Sequence, residues 1–257
     1  MKNKLLKYLI KENFDLKKYF TVSTDKATNP VNMMGASKRI MEKFIFSLSK
    51  NIKVSTARFA NVAFSDGSLF HSFDQRLKKK QPISAPNDIK RYFVIPREAG
   101  ELCILSTLLG ENRDIFFPKL SEELHLITFS EIAKKYLKAK GYEPYLCQTE
   151  DEARAKTEIL IKDNKWPCYF FNSDTTGEKS FEEFYTDNQI IEWDRFNNLG
   201  IIKNEYKYYE KIDKFINKIN EIKDKRNFKK KDLVELFEFV VPEFNHIEKN
   251  KNLDQRM

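Results

Sequence analysis

Residues 22–38 read Val22-Ser23-Thr24-Asp25-Lys26-Ala27-Thr28-Asn29-Pro30-Val31-Asn32-Met33-Met34-Gly35-Ala36-Ser37-Lys38. The apolar run Tyr19-Phe20-Thr21-Val22 leads straight into a hydroxyl, an acid and an amine at Thr24, Asp25 and Lys26. A buried strand is expected over 19–23, so these polar groups stand where it ends. In open α/β sheets, ligands bind beyond the carboxyl ends of strands. Asn29-Pro30 then breaks the chain. Met33, Met34, Ser37, Ile40, Met41, Phe44, Ile45 and Leu48 recur at helical spacing, which predicts a helix over 32–49 carrying Lys38.

Working outward, Leu5, Leu6, Leu9 and Ile10 predict an amphipathic helix over 2–12, and alternation over 52–59 predicts the next strand. The order helix, strand, helix, strand indicates an α/β chain with a parallel sheet. Further helices are expected over 69–79, over 98–109 behind Pro96, and over 128–140 with Gly141 as its stop. The helix over 98–109 reads as strongly amphipathic. Extended segments are expected near 83 and over 91–94, 114–117 and 168–171, with another helix near 152–162. Trp166-Pro167-Cys168-Tyr169-Phe170-Phe171 reads as a buried strand, or as a platform on which a base or sugar stacks. Beyond Gly200 the chain turns Lys- and Glu-rich. Tyr208, Ile212, Phe215, Ile216 and Ile219 share one face, and Leu233, Leu236, Phe237 and Val240 another. Two helices packing on the body or on a partner are expected there. The chain therefore divides into 1–120, 121–202 and 203–257.

Composition narrows the class. Of 257 residues, 41% are hydrophobic, 33% charged and 14% aromatic, a balance that excludes disorder. Nothing approaches the ~18 consecutive apolar residues of a membrane span. The N-terminal apolar run contains Lys7 and lacks a small-residue cleavage site, so it reads as helix, not signal peptide. Cys103, Cys147 and Cys168 form no metal or disulfide pattern, which suits a reducing cytoplasm. His71, His125 and His246 are too dispersed for a sequence-local zinc site, and no metal is expected. The formal charge of +8 reads as a Lys-rich surface, or as a field favouring an acidic small substrate such as a nucleotide diphosphate. No nucleic-acid partner is expected. Arg226 to Lys231 reads as a solvated helix junction, or as a contact for acidic lipid or nucleic acid.

In chemical terms, Asp25 can donate a proton if its pKa is raised, and Lys26 can accept one if its pKa is lowered. Neighbouring groups pushed apart in this way make an acid/base pair. Lys38 can grip a ribose and set positive charge beside a nicotinamide. The plainer reading makes Asp25 and Lys26 loop caps and Lys38 a solvated helix residue.

The segment Thr24-Asp25-Lys26-Ala27-Thr28-Asn29-Pro30, with Asn32 and Met34-Gly35-Ala36-Ser37-Lys38, resembles the bacterial UDP-N-acetylglucosamine 4,6-dehydratases. These are extended short-chain dehydrogenases/reductases of polysaccharide and glycan biosynthesis. The resemblance continues in Arg58-Phe59-Ala60-Asn61-Val62, Asp66-Gly67-Ser68 and Asp88-Ile89-Lys90-Arg91-Tyr92-Phe93. It weakens after residue 120, where His125-Leu126-Ile127-Thr128 and Ser173-Asp174-Thr175-Thr176-Gly177 are its traces. It implies a partial Rossmann-like parallel sheet in 1–120, a small substrate-binding region in 121–202 and a helical extension in 203–257. It also implies tightly bound NAD, a UDP-sugar substrate, a cytoplasmic location and a homo-oligomeric full-length form.

By resemblance, Thr24, Asp25, Lys26, Met34 and Lys38 are the catalytic set. Lys26 would take the C5 proton, Asp25 would protonate the departing C6 hydroxyl, and Thr24 would bind the C4 oxygen. Ser23, Lys38 and Phe59 would face the cofactor, and Asn61 and Arg91 the UDP, Arg91 as a fork on phosphate. Most of the superfamily has Tyr where Met34 stands. A mostly C5-retaining dehydratase subgroup has Met there, and the C4 hydroxyl base then passes to Thr24, Asp25 or water. The related reading, a nucleotide-sugar 4-epimerase or reductase, usually needs that Tyr.

Dinucleotide binding uses a glycine-rich turn at a helix N-terminus. Gly35, Gly67, Gly100, Gly110, Gly141, Gly177 and Gly200 are all the glycines, and no two lie within three residues. The expectation is therefore an N-terminally truncated product that binds NAD poorly and does not turn over alone. Its literal alternative is a non-catalytic remnant or interaction module.

Overall fold

Strand β1 (Lys18–Thr24) lies parallel to β2 (Lys53–Phe59), with Ser23 opposite Arg58 and Thr24 opposite Phe59. A computed structural model describes residues 8, 10–12, 15–120, 126–246 and 248. The helix expected over 2–12 falls largely outside these residues, as does His125. Between β1 and β2 runs α1 (Met33–Ser47), so the expected strand–helix–strand crossover is present. Asn32 caps this helix, its side chain accepting a hydrogen bond from the Gly35 amide.

Residues through Phe59, Arg97–Lys119 and Glu183–Ile247 form one compact unit, and Ala60–Pro96 with Leu120–Glu182 forms a second. The units interleave along the chain. Strand pairing is the reason. In the first unit, β6 (Asp114–Pro118) adds in parallel to β2, and β11 (Leu199–Lys203) then pairs antiparallel with β6. Strand β10 (Ile190–Glu192) closes that edge, giving the order β1-β2-β6-β11-β10. The parallel half matches expectation. Strands β10 and β11 were not expected, because Ile190 and Ile201 carry too little local alternation to announce them. The core of this sheet holds Val54, Ala57, Ile115, Phe116, Phe117, Ile201 and Ile202, all at most 1% exposed. Each large side chain so buried contributes roughly 1.5–3 kcal/mol.

Helix α3 (Pro96–Leu109) also lies largely in the first unit. It buries only Leu102 and Ser106 fully, while Ile104 and Leu108 are exposed. The helix expected there is present, but the strong amphipathic pattern expected of it is weak.

The second unit carries two three-stranded sheets. One is β3 (Asn61–Val62), β5 (Lys90–Val94) and β7 (Leu126–Thr128). The other is β4 (Ile83–Pro86), β9 (Lys165–Phe171) and β8 (Glu143–Cys147), all parallel. Between β3 and β4 lies α2 (Leu69–Lys78), and α4 (Phe129–Ala139) starts from a capping box of Thr128 and Glu131. Helices α2 and α4 pack Phe73, Ile132, Tyr136 and Leu137 against Ile83, Trp166 and Cys168. The 166–171 segment is therefore a core strand. The helix expected near 152–162 is two short ones, α5 (Glu150–Ala155) and α6 (Thr157–Lys162), separated at Lys156.

The C-terminal pair expected beyond Gly200 is α7 (Glu210–Lys225) and α8 (Lys230–Val240), in the first unit. Phe215 and Phe237 meet edge-to-face at 5.2 Å between them.

Gly200 sits under the Phe117 ring. A Cβ there would stand 2.3 Å from the Phe117 Cζ. That ring is 1% exposed and wedged among Phe184, Tyr185 and Trp193, so it has nowhere to go. Gly200→Ala is expected to cost about 1–3 kcal/mol. The check is a lower urea midpoint at unchanged slope.

Candidate active site

Thr24 ends β1 and caps a single 3-10 turn, Asp25–Ala27. The turn folds tightly because one carboxylate oxygen gathers its donors. Asp25 Oδ1 accepts from Thr24 Oγ1 at 2.7 Å, from the Lys26 amide at 2.8 Å and from Lys26 Nζ at 3.1 Å. Asp25 is 1% exposed. Its other oxygen, Oδ2, is buried and has no hydrogen-bond partner among the described residues. Leaving such an oxygen unsatisfied costs more than 1 kcal/mol. The Lys26 side chain retains 19% exposure. Hydroxyl, acid and amine thus share one point.

Helix α1 closes on this turn backbone to backbone. A Cβ at Gly35 would lie 2.2 Å from the Lys26 carbonyl oxygen, so only glycine fits. One turn further, Lys38 Nζ donates to the Val22 carbonyl at 3.3 Å. Lys38 is therefore brought to the end of the strand that presents Asp25. Met34 is 48% exposed, which sets aside a core role for its thioether. Phe59, opposite Thr24 in the register, is 7% exposed.

Ser23 has a different partner. Its hydroxyl donates to Glu42 Oε1 at 2.7 Å. Glu42, 0% exposed on α1, also receives Arg58 Nε at 3.0 Å, Arg58 NH2 at 2.8 Å and Arg39 NH1 at 3.1 Å. Arg58 NH1 donates to the Phe184 carbonyl at 2.6 Å. Burial alone would raise the Glu42 carboxyl. The Arg58 charge and hydrogen bonds outweigh it, with Arg39 and Ser23 adding to them, and hold it at about 2. Sequence reasoning missed Glu42. The available signal was Arg58, a cation set after the uncharged run 54–57 of a central strand, where burial requires an anion nearby.

Asn61 and Arg91 belong to the second unit. Asn61 lies in β3 opposite Phe93. Arg91, 4% exposed, donates from NH1 to the carbonyls of Lys90 at 2.8 Å and Lys179 at 3.0 Å. Its NH2 stands 3.9 Å from Glu178 and 3.8 Å from Glu182. The Ser173–Gly177 segment is a turn closed by Thr175 Oγ1 on Glu178 at 2.6 Å, with Gly177 at positive φ. In this arrangement Arg91 staples that loop, and its fork faces carbonyls and carboxylates. Among the described residues no cluster of metal-ligating side chains exists, and no helix is long and apolar enough to cross a membrane.

The family described as polysaccharide biosynthesis protein matches residues 6–204. The chain belongs to that family. Among its relatives, the probable polysaccharide biosynthesis protein EpsC of Bacillus subtilis is 30% identical over 175 residues, which are 67% of this chain and 25% of EpsC. The chain spans 60%, 25% and 26% of the length of the first curated relatives it matches. Pen from Bacillus thuringiensis shares the fold at a TM-score of 0.61 and 20% identity, over 79% of this chain and 57% of Pen. DesIV of Streptomyces venezuelae, a dTDP-glucose 4,6-dehydratase, does so at 0.50 and 14%, over 71% of this chain and 55% of DesIV. This member of the polysaccharide biosynthesis family thus shares the Rossmann-like α/β fold of these solved structures, with a helical C-terminal region.

Glu42 gives the family member a defined acid response. Its folded pKa, about 2, lies below the ~4.3 of an unfolded glutamate. The resulting stability is full above about pH 4.3 and is lost as pH falls toward 2. Glu42→Gln removes that dependence and leaves Arg58 buried without its anion, costing about 3–5 kcal/mol. Urea titrations of both proteins across this window provide the test.

Proposed function

We propose that the chain carries the proton-transfer half of a nucleotide-sugar 4,6-dehydratase. Its substrate is UDP-N-acetylglucosamine, converted to UDP-2-acetamido-2,6-dideoxy-4-ketohexose with C5 configuration retained, for surface polysaccharide synthesis. The observation that carries this reading is the buried Asp25, with one oxygen on Thr24 and Lys26 and the other unpartnered. Family membership supports the setting.

The Asp25–Lys26 ion pair already holds the one proton the elimination needs. Shifting that proton from Lys26 Nζ to the Asp25 carboxylate, across 3.1 Å, gives a neutral amine beside a neutral acid. The amine then removes the C5 proton, acidified by the 4-ketone. The acid protonates the C6 hydroxyl, and water leaves. Elimination leaves the two groups as an ion pair. Lys26 then returns its proton to C5 as C6 is reduced, and the proton given up by the C4 hydroxyl replaces the one that left in water, which restores the starting pair. Thr24 hydrogen-bonds the C4 oxygen. Met34 cannot ionise, and the C4 hydroxyl proton leaves through Thr24, Asp25 or water.

The residues present fit one end of NAD. Lys38, brought to the end of β1, suits the nicotinamide ribose, with Phe59 at the neighbouring strand end; Ser23, its hydroxyl spent on Glu42, offers only main chain. No glycine pair in the sequence serves the pyrophosphate end. When bound, NAD supplies the hydride acceptor at C4 and the donor at C6. Asn61 and Arg91 bind the UDP in this reading. A diphosphate on Arg91 has to displace the carbonyls and carboxylates of residues 178–182.

Two measurements test this. Calorimetry on the chain should show UDP-sugar binding and weak NAD binding. Fused behind a glycine-rich dinucleotide segment of the same family and given both ligands, it should form a product one water lighter. Lys26→Ala and Asp25→Asn should each lower kcat by roughly 100- to 10,000-fold, with Asp25→Asn still forming the 4-ketone. A C4 epimer without water loss, or no UDP-sugar binding at all, would sink the reading.

A further inference from the structure

Residues 223–232, at the junction of α7 and α8, are ten consecutive exposed positions reading Lys-Asp-Lys-Arg-Asn-Phe-Lys-Lys-Lys-Asp. They hold six cations and two acids, so +4 of the chain's +8 sits in this one turn. Among the described residues no carboxylate forms an ion pair with the side chain of Lys223, Lys225, Arg226 or Lys229, although the Lys229 amide donates to Asp232 at 2.9 Å. At the centre of the turn stands Phe228, 53% exposed. It borders a groove of about 520 Å³ that also includes Ile222 and Leu236.

The opposite end of this hairpin is fixed. Lys43 Nζ donates to the Val240 carbonyl at 3.2 Å, Glu243 bridges Arg39 at 2.9 Å and Lys43 at 3.2 Å, and Val240, Val241 and Phe244 are buried. A well-rooted hairpin thus carries a wet, cationic, aromatic tip, a contrast that generic surface lysine does not require.

A second basic run shows the difference. Lys78-Lys79-Lys80 closes the C-terminus of α2, where the helix dipole welcomes positive charge. Lys229-Lys230-Lys231 instead occupies the N-cap and first turn of α8, where the dipole opposes it and Asp232 is the single acid in that turn. Helix electrostatics explain the first run and count against the second, which gains from an external anionic surface.

We propose that this tip docks the protein reversibly on an anionic phospholipid bilayer. Its lysines meet the headgroup charge, and Phe228 seats its ring at the interface. Five of the six cations are lysine, strongly hydrated point charges suited to diffuse negative charge. Recognition of discrete nucleic-acid phosphates favours the arginine fork and several stacking aromatics instead. The inference is independent of the chemistry proposed for Asp25 and Lys26.

The test is sedimentation of the full chain with phosphatidylcholine vesicles, alone and with about one-third phosphatidylglycerol. Binding is expected to the anionic vesicles only, and to weaken with salt. Replacing Lys229, Lys230 and Lys231 together by Gln should weaken it roughly 100-fold. Phe228→Ser should weaken it several-fold, and the same triple change at Lys78, Lys79 and Lys80 should leave it nearly unchanged. Circular dichroism confirms that the exposed variants stay folded. The proposal is overturned if the wild-type chain ignores anionic vesicles, if both triple variants lose binding equally, or if duplex DNA or RNA binds while vesicles fail to compete.

Discussion

A single buried ion pair governs where the candidate site can form. Arg58 and Glu42 are 1% and 0% exposed, and taking two such charges out of water costs several kcal/mol per ion. The pair survives because every strong valence is met. Glu42 receives Arg58 twice, with Ser23 and Arg39, while Arg58 also reaches the Phe184 carbonyl. Those partners come from β1, α1, β2 and the segment before β10. Satisfying them together leaves one relative placement of strand and helix, and Thr24-Asp25-Lys26 follows Ser23 directly. Low-dielectric burial makes the arrangement all-or-none, as a partly satisfied pair would be worse than none.

The same network reaches the C-terminal region. Arg39 binds Glu42 on one side and Glu243 on the other, and the Asn245 amide donates to the Pro30 carbonyl at 3.1 Å. Residues beyond the family match therefore brace the loop that follows the acid and amine. The helical tail is part of how the first unit holds its candidate segment.

What the sequence made legible was local. The strand–turn–helix of residues 18–47 follows from a short apolar run, a proline break and a 3.6-residue period, all readable within a small window. The gathering of Thr24, Asp25 and Lys26 followed because neighbours in a tight turn cannot avoid each other. Glu42 was invisible because its meaning depends on Arg58, sixteen positions away and on another element. Strands β10 and β11 were missed because each is short and β11 finds its partner, β6, far upstream in the chain, so no local window announces the pairing. Arg91 was legible as a fork, but the groups filling that fork come from a loop about ninety residues downstream.

The contact between Gly35 and the Lys26 carbonyl separates two properties that usually travel together. Because main chain rests on main chain there, the spacing from the strand's end to Lys38 is fixed without help from the side chain at position 34. The Met34 side chain is half exposed and takes no part in that main-chain contact. Its chemistry can be exchanged, an ionisable ring for an inert thioether, without disturbing the scaffold on either side. A fold so arranged can change the side chain beside its strand end while keeping the main-chain spacing around it.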